Sequence, residues 1–89
     1  MSFDEWLAGL RGEPGKPRIL VTLNRMALGL PGDWRSVGEG VFEQRIAYGP
    51  GYRLYYAREG PQVILLLIGG DKASQARDIK RAKQYGQEP

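Results

Sequence analysis

The sequence predicts an α+β fold: two N-terminal helices packed on an antiparallel sheet of three or four strands, then one basic C-terminal helix. Three observations predict it. Apolar residues recur at helical spacing before residue 30, alternate or run continuously through the middle of the chain, and return to helical spacing after residue 72. With 89 residues the chain holds a single domain, 1–89, with one modest core.

The first helix opens at Ser2-Phe3-Asp4-Glu5, which has the form of a capping box: the serine hydroxyl accepts from the Glu5 amide and the glutamate returns to the cap. Phe3, Trp6, Leu7 and Leu10 then fall on one stripe, which Gly12, Pro14, Gly15 and Pro17 interrupt. A second helix is expected from about Arg18 to Leu28, with Ile19, Leu20, Leu23, Met26 and Ala27 as its apolar stripe and Gly29 and Pro31-Gly32 as its stop. The two form a helical hairpin lying on the sheet.

The sheet is expected to begin near Val37 or Val41, with Trp34 in a preceding loop that covers the sheet edge or stacks on a base or partner. Gly49-Pro50-Gly51 supplies the dihedrals of a tight turn. A three-residue loop there sets Ile46 opposite Leu54, Arg45 opposite Tyr55 and Glu43 opposite Ala57. Arg45 and Arg53 then become diagonal neighbours on one face, and Tyr48, Tyr52 and Tyr56 pack under the helices. After a turn at Glu59-Gly60-Pro61, Val63 to Ile68 reads as a strand buried on both faces. Asp71 caps the last helix, whose Ala73, Ala76, Ile79 and Ala82 make a narrow apolar seam.

Composition restricts the chemistry. There is no cysteine and no histidine, so disulfides, thiolate nucleophiles and the commonest general base and metal ligand are all absent. No metal or other cofactor is expected. The longest apolar run, Val63 to Ile68, is too short to span a bilayer, and acidic Asp4 and Glu5 near the start do not suit a secretion signal. A cytoplasmic protein without membrane association is expected. The net charge is +3, and all of the excess lies at the C-terminus, where residues 72–89 hold five basic groups against two acidic ones. That bias favours an anionic partner.

Cleaving RNA through its own 2'-hydroxyl requires a proton acceptor, cations for the phosphorane charge and a donor for the leaving 5'-oxygen. Glu43 is the candidate base, Arg45 and Arg53 are candidate phosphate ligands, and Lys72 is a candidate for charge stabilisation or proton donation. Tyr55 and Tyr85 are candidates for stacking on a nucleobase, and Arg77, Lys80, Arg81 and Lys83 for contacts with RNA phosphates. Structural readings stand beside each of these. Arg45 also fits a solvated cross-strand partner of Tyr55, Arg53 a tether to Glu43, and the C-terminal cations the wet face of a helix.

The succession Glu43-Gln44-Arg45-Ile46, Gly49-Pro50-Gly51-Tyr52-Arg53, Gly69-Gly70-Asp71-Lys72, Gln75 and Asp78-Ile79 resembles the RelE/HigB-like toxins of type II toxin-antitoxin systems, in the branch of addiction module killer proteins. The likeness is close from about Pro31 to Tyr85. It implies an endoribonuclease (an mRNA interferase) that cleaves mRNA on the ribosome, inhibits translation and pairs with a cognate helix-turn-helix antitoxin. The family's catalytic surface carries over most directly to Arg45, Arg53 and Lys72. Relatives generally have a further strand before the first helix, so this sheet is expected to be one strand short, with an edge open to a second copy or an antitoxin segment. Two other readings keep the fold: a non-catalytic RNA-binding or interaction module, and a structural subunit that completes a regulatory complex with the antitoxin on DNA.

Overall fold

A computed structural model describes residues 2–60 and 63–87. In chain order it has α1 (Phe3–Ala8), α2 (Lys16–Ala27), β1 (Trp34–Gly38), β2 (Val41–Ile46), β3 (Tyr52–Glu59), β4 (Val63–Gly70), a single 3-10 turn (Lys72–Ser74) and α3 (Gln75–Gly86). The expected α+β architecture is present, with four antiparallel strands in the order β1-β2-β3-β4. No helix among the described residues is long and apolar enough to cross a membrane.

Local signals account for the element starts. Ser2 Oγ accepts from the Glu5 amide at 3.2 Å and the Glu5 carboxylate accepts from the Ser2 amide at 3.1 Å, so two otherwise orphaned donors are satisfied at the start of α1. Pro17 sits in the first turn of α2, where its missing N–H costs nothing, and the helix starts at Lys16 rather than Arg18. Asp71 caps as expected by accepting from the Ser74 amide, but it opens the 3-10 turn, which then leads into α3.

The sheet separates two apolar clusters. On one face Ile46, Tyr52 and Leu54 pack with Phe3 of α1 and Ile19 of α2, and Trp6, Leu7, Leu23, Met26 and Tyr48 close round them. Ile19 is fully buried, which contributes about 1.5–3 kcal/mol. On the other face Val41, Tyr55 and Ile68 pack with Ala82 of α3, supported by Ile79 and Tyr85. Tyr56 is buried beside Phe42, whose ring it stacks on at 5.7 Å, and Phe42 in turn meets Trp34 edge-on.

Three expectations need correction. Trp34 begins a strand instead of lying in a loop, because β1 pairs with β2 through Trp34↔Gln44 and Arg35↔Glu43. The β2–β3 connection spans residues 47–51 and not three residues, so Arg45 lies directly opposite Arg53 and Glu43 opposite Tyr55. That slip is by two positions, so every residue keeps its expected face. Finally, β4 is an edge strand and not a doubly buried one: Leu65 and Leu66 are 40% and 37% exposed. Only its end is covered on both faces, with Trp6 against Gly69 on one side and Leu67 and Ile68 beneath α3 on the other. The turn expected at Glu59-Gly60-Pro61 reaches residues 61 and 62, outside the described residues.

Gly69 and Gly70 are required by close approach. A Cβ at Gly69 would enter the Trp6 ring, and one at Gly70 would fall on the Asp78 carboxylate, itself buried and hydrogen-bonded by the Ser74 hydroxyl. Gly70→Ala is therefore expected to destabilise the fold by about 1–3 kcal/mol through overpacking, read as a lower urea midpoint with an unchanged slope. An unchanged midpoint would show that α3 can shift away from the strand without cost.

Candidate functional site

The polar centre of the protein is Glu43, placed by β2 on the face that α3 covers and 0% exposed. Its Oε1 accepts from Arg35 Nε at 2.9 Å, and its Oε2 accepts from Tyr55 Oη at 2.9 Å and Gln75 Nε2 at 3.0 Å. Arg53 Nε approaches Oε2 to 3.6 Å without a hydrogen bond and is left with no partner of its own. Three strands and α3 thus converge on one carboxylate. Burial pushes its pKa up, but the hydrogen bonds from Arg35, Gln75 and Tyr55 and the Arg35 charge outweigh burial and hold it below the ordinary value. Burial and the bond to Glu43 conversely push the Tyr55 phenol well above its usual range.

Glu43 is therefore sequestered, and the expectation that it serves as a general base fails on access. A base must reach the proton it removes, and this carboxylate is enclosed and already accepts three hydrogen bonds. Its place in the structure is that of an anchor: it fixes Arg35, a half-exposed guanidinium at the sheet edge, and stands next to Arg53.

Beyond that anchor, three predicted residues meet at one rim. Arg45 and Arg53 are cross-strand partners. Arg53 Nη1 donates to the Gly51 carbonyl at 2.8 Å, and the Lys72 amide donates to the Pro50 carbonyl at 3.3 Å, so both flank the hairpin turn. A Cβ built on Gly51 would lie 3.2 Å from Arg53 Nη1 and 3.4 Å from Lys72 Cβ. Between Arg45, Arg53, Gly51 and Asp33 lies a shallow depression of about 260 Å³. Arg45 Nη2 donates to Asp33 Oδ1 at 2.8 Å, but both side chains are about half exposed, and such a pair contributes only about 0–1 kcal/mol. A stronger anion can displace it. Like charges directly opposite across two strands repel, and a bound anion relieves that repulsion.

The other candidates scatter. Tyr55, expected to meet a nucleobase, is instead 0% exposed, because α3 covers the sheet face that it occupies. Tyr85 also packs against that cluster, and its hydroxyl accepts from Arg81 Nη2 at 3.2 Å. Lys83 pairs with Glu39 at 3.6 Å. Arg77 and Lys80 are exposed on α3, and Arg81 is half-buried. A cleft of about 710 Å³ lies away from the arginine rim, where α1 and α3 meet the end of β4, and combines Asp71 and Asp78 with Arg77 and Arg81. Sequence reasoning overlooked Arg35, which requires β1 to start three residues earlier than expected, and gave Gln75 no role although it belongs to the quoted motif.

No family model matches the chain. No solved structure matches it either. A protein of Haemophilus influenzae, described as uncharacterized, is 42% identical over 88 residues, spanning 99% of this chain and 89% of that protein.

Glu43→Gln keeps the shape but replaces charge-assisted hydrogen bonds with neutral ones and leaves Arg53 beside a neutral group, a change expected to cost about 1–3 kcal/mol. The pH dependence gives the sign. A carboxylate whose folded pKa lies below its ordinary value of 4.5 adds stability above that value, and this stability is lost as pH falls through the lower folded pKa. Denaturant titrations from pH 7 down to acid should show wild type losing stability below about pH 4.5 and the variant losing less. Equal slopes would remove Glu43 from its role as anchor.

Proposed function

We propose that this chain, which belongs to the family of the Haemophilus influenzae protein, is the toxin of a toxin-antitoxin module, a ribosome-dependent mRNA endonuclease acting in the cytoplasm. The observation that carries the reading is the convergence of Arg45, Arg53 and Lys72 at one hairpin, beside an anchored carboxylate. The resemblance of the surrounding motifs to RelE/HigB-like toxins supports it. In this reading the arginines grip the scissile phosphate while the 2'-hydroxyl attacks phosphorus and gives up its proton to solvent water. The phosphorus–5'-oxygen bond breaks, and Lys72 gives a proton to the departing oxygen. The products are a 2',3'-cyclic phosphate and a free 5'-hydroxyl. With Glu43 enclosed, acceleration rests on placing cations around the developing charge rather than on a positioned carboxylate base. The mRNA in the ribosome is the substrate and a helix-turn-helix antitoxin the cognate partner.

A second reading, a non-catalytic RNA-binding or interaction module of the same fold, is favoured by one observation. Glu43, the carboxylate beside Arg53, is buried and cannot reach a substrate proton.

Primer-extension mapping of mRNA after brief induced expression separates the two. Wild type should generate new 5' ends that require active ribosomes, and Arg45→Ala with Lys72→Ala should reduce them by about a hundredfold or more, in keeping with loss of transition-state charge stabilisation. Absence of any cut from folded wild-type protein would overturn the nuclease reading in favour of binding alone.

A further inference from the structure

In α2 Ile19 is buried and Leu23 and Met26 pack partly buried against the same cluster, whereas the opposite side carries exposed apolar residues. Val21 and Leu28, seven residues apart on one ridge, are 59% and 67% exposed. Leu20, Leu30 and Trp34 are also about half exposed, so five of the seven large apolar residues found exposed gather along this helix and the segment that follows it. The ridge ends in a cleft of about 680 Å³ lined by Leu28, Leu30, Trp34, Tyr56, Arg58 and Ile64. Scattered exposed leucines need no explanation, but five large apolar side chains gathered beside one cleft, with exposed Asn24 between Val21 and Leu28, do.

The charges along the stripe have one sign. Between Glu13 and Asp33 the sequence holds Lys16, Arg18 and Arg25 and no acidic residue. Arg18 and Arg25 are again seven apart, so a cationic row runs beside the apolar ridge. Arg58 adds a further cation at the cleft.

We propose that this face docks an acidic amphipathic helix of a partner protein, with apolar anchors on Val21, Leu28 and the Trp34 cleft and carboxylates against Arg18 and Arg25. Two parallel rows at heptad spacing match the seam and flanking charges of a packed helix. A second copy of this chain is a poor occupant, since an isologous contact sets each cationic row near its own counterpart. RNA would satisfy the arginines but leave Val21 and Leu28 in water. The face lies on the side of the sheet covered by α1 and α2, opposite Glu43 and α3, so the proposal stands whether or not the arginine rim cleaves RNA.

The test uses two synthetic three-heptad helical peptides, leucine at every a and d position, one with glutamate and the other with lysine at e and g. Amide chemical shifts of the labelled protein should move on adding the glutamate peptide, with changes confined to residues 17–34, 56–58 and 64 and to the Trp34 indole. Arg18→Glu with Arg25→Glu should weaken the glutamate peptide by about tenfold or more and admit the lysine peptide, the reciprocal swap expected of complementary rows. Val21→Ser with Leu28→Ser should weaken both pairings, and because these side chains are exposed the fold should survive. Equal binding of the two peptides, shifts centred on α3, preferential capture by phosphatidylserine-containing vesicles, or self-association through the same residues would each overturn the proposal.

Discussion

The buried carboxylate of Glu43 organises the α3-covered side of this molecule. One side chain accepts from β1 through Arg35, from β3 through Tyr55 and from α3 through Gln75, and it lies beside a second β3 group, Arg53. An enclosed charge is costly unless donors surround it, and here the donors come from two neighbouring strands and from α3. Apolar contacts of Ile79 and Ala82 hold α3 on the sheet. The Gln75 bond to Glu43, together with Asp78 packed on Gly70 and the Lys72 amide on Pro50, sets where α3 starts relative to the hairpin. The cationic rim inherits its geometry from an anion that never reaches the surface.

The sheet divides the protein into two chemically different sides. The α3 side carries the anchored arginines and the cationic helix, and the other carries a helical hairpin with an apolar outer ridge flanked by arginines. An occupant of one side need not compete with an occupant of the other. Such a layout lets a small domain serve two partners without a second core, a useful economy in a chain of 89 residues.

Much of the fold was legible in the sequence because local signals agreed with it. The Ser2-Glu5 box, the stripe through Ile19, Leu23 and Met26, and the Asp71 cap each rest on neighbours within a turn or two. The faces of the hairpin were legible too, since strand alternation survives a two-residue error in loop length. Three features were not. Trp34-Arg35-Ser36 has no apolar alternation, so β1 is defined only by its pairing with β2. The apolar run in β4 signals burial, but whether a strand is central or at an edge depends on sheet order, which alternation does not encode. The convergence on Glu43 joins residues 8, 12 and 32 positions away, and its meaning changes from reactive group to anchor only when α3 closes over it.

The direct opposition of Arg45 and Arg53 has an evolutionary consequence. A cross-strand pair of like charges is a locally frustrated contact, a place where the sequence does not choose the residue that best suits the fold. Replacing either arginine relieves that repulsion in the empty protein but also removes its contact to Asp33 or Gly51, so stability alone holds the pair only weakly. An anion bound at the rim is the demand that would favour keeping both arginines, and lineages released from it are expected to lose one of them before any change in the core.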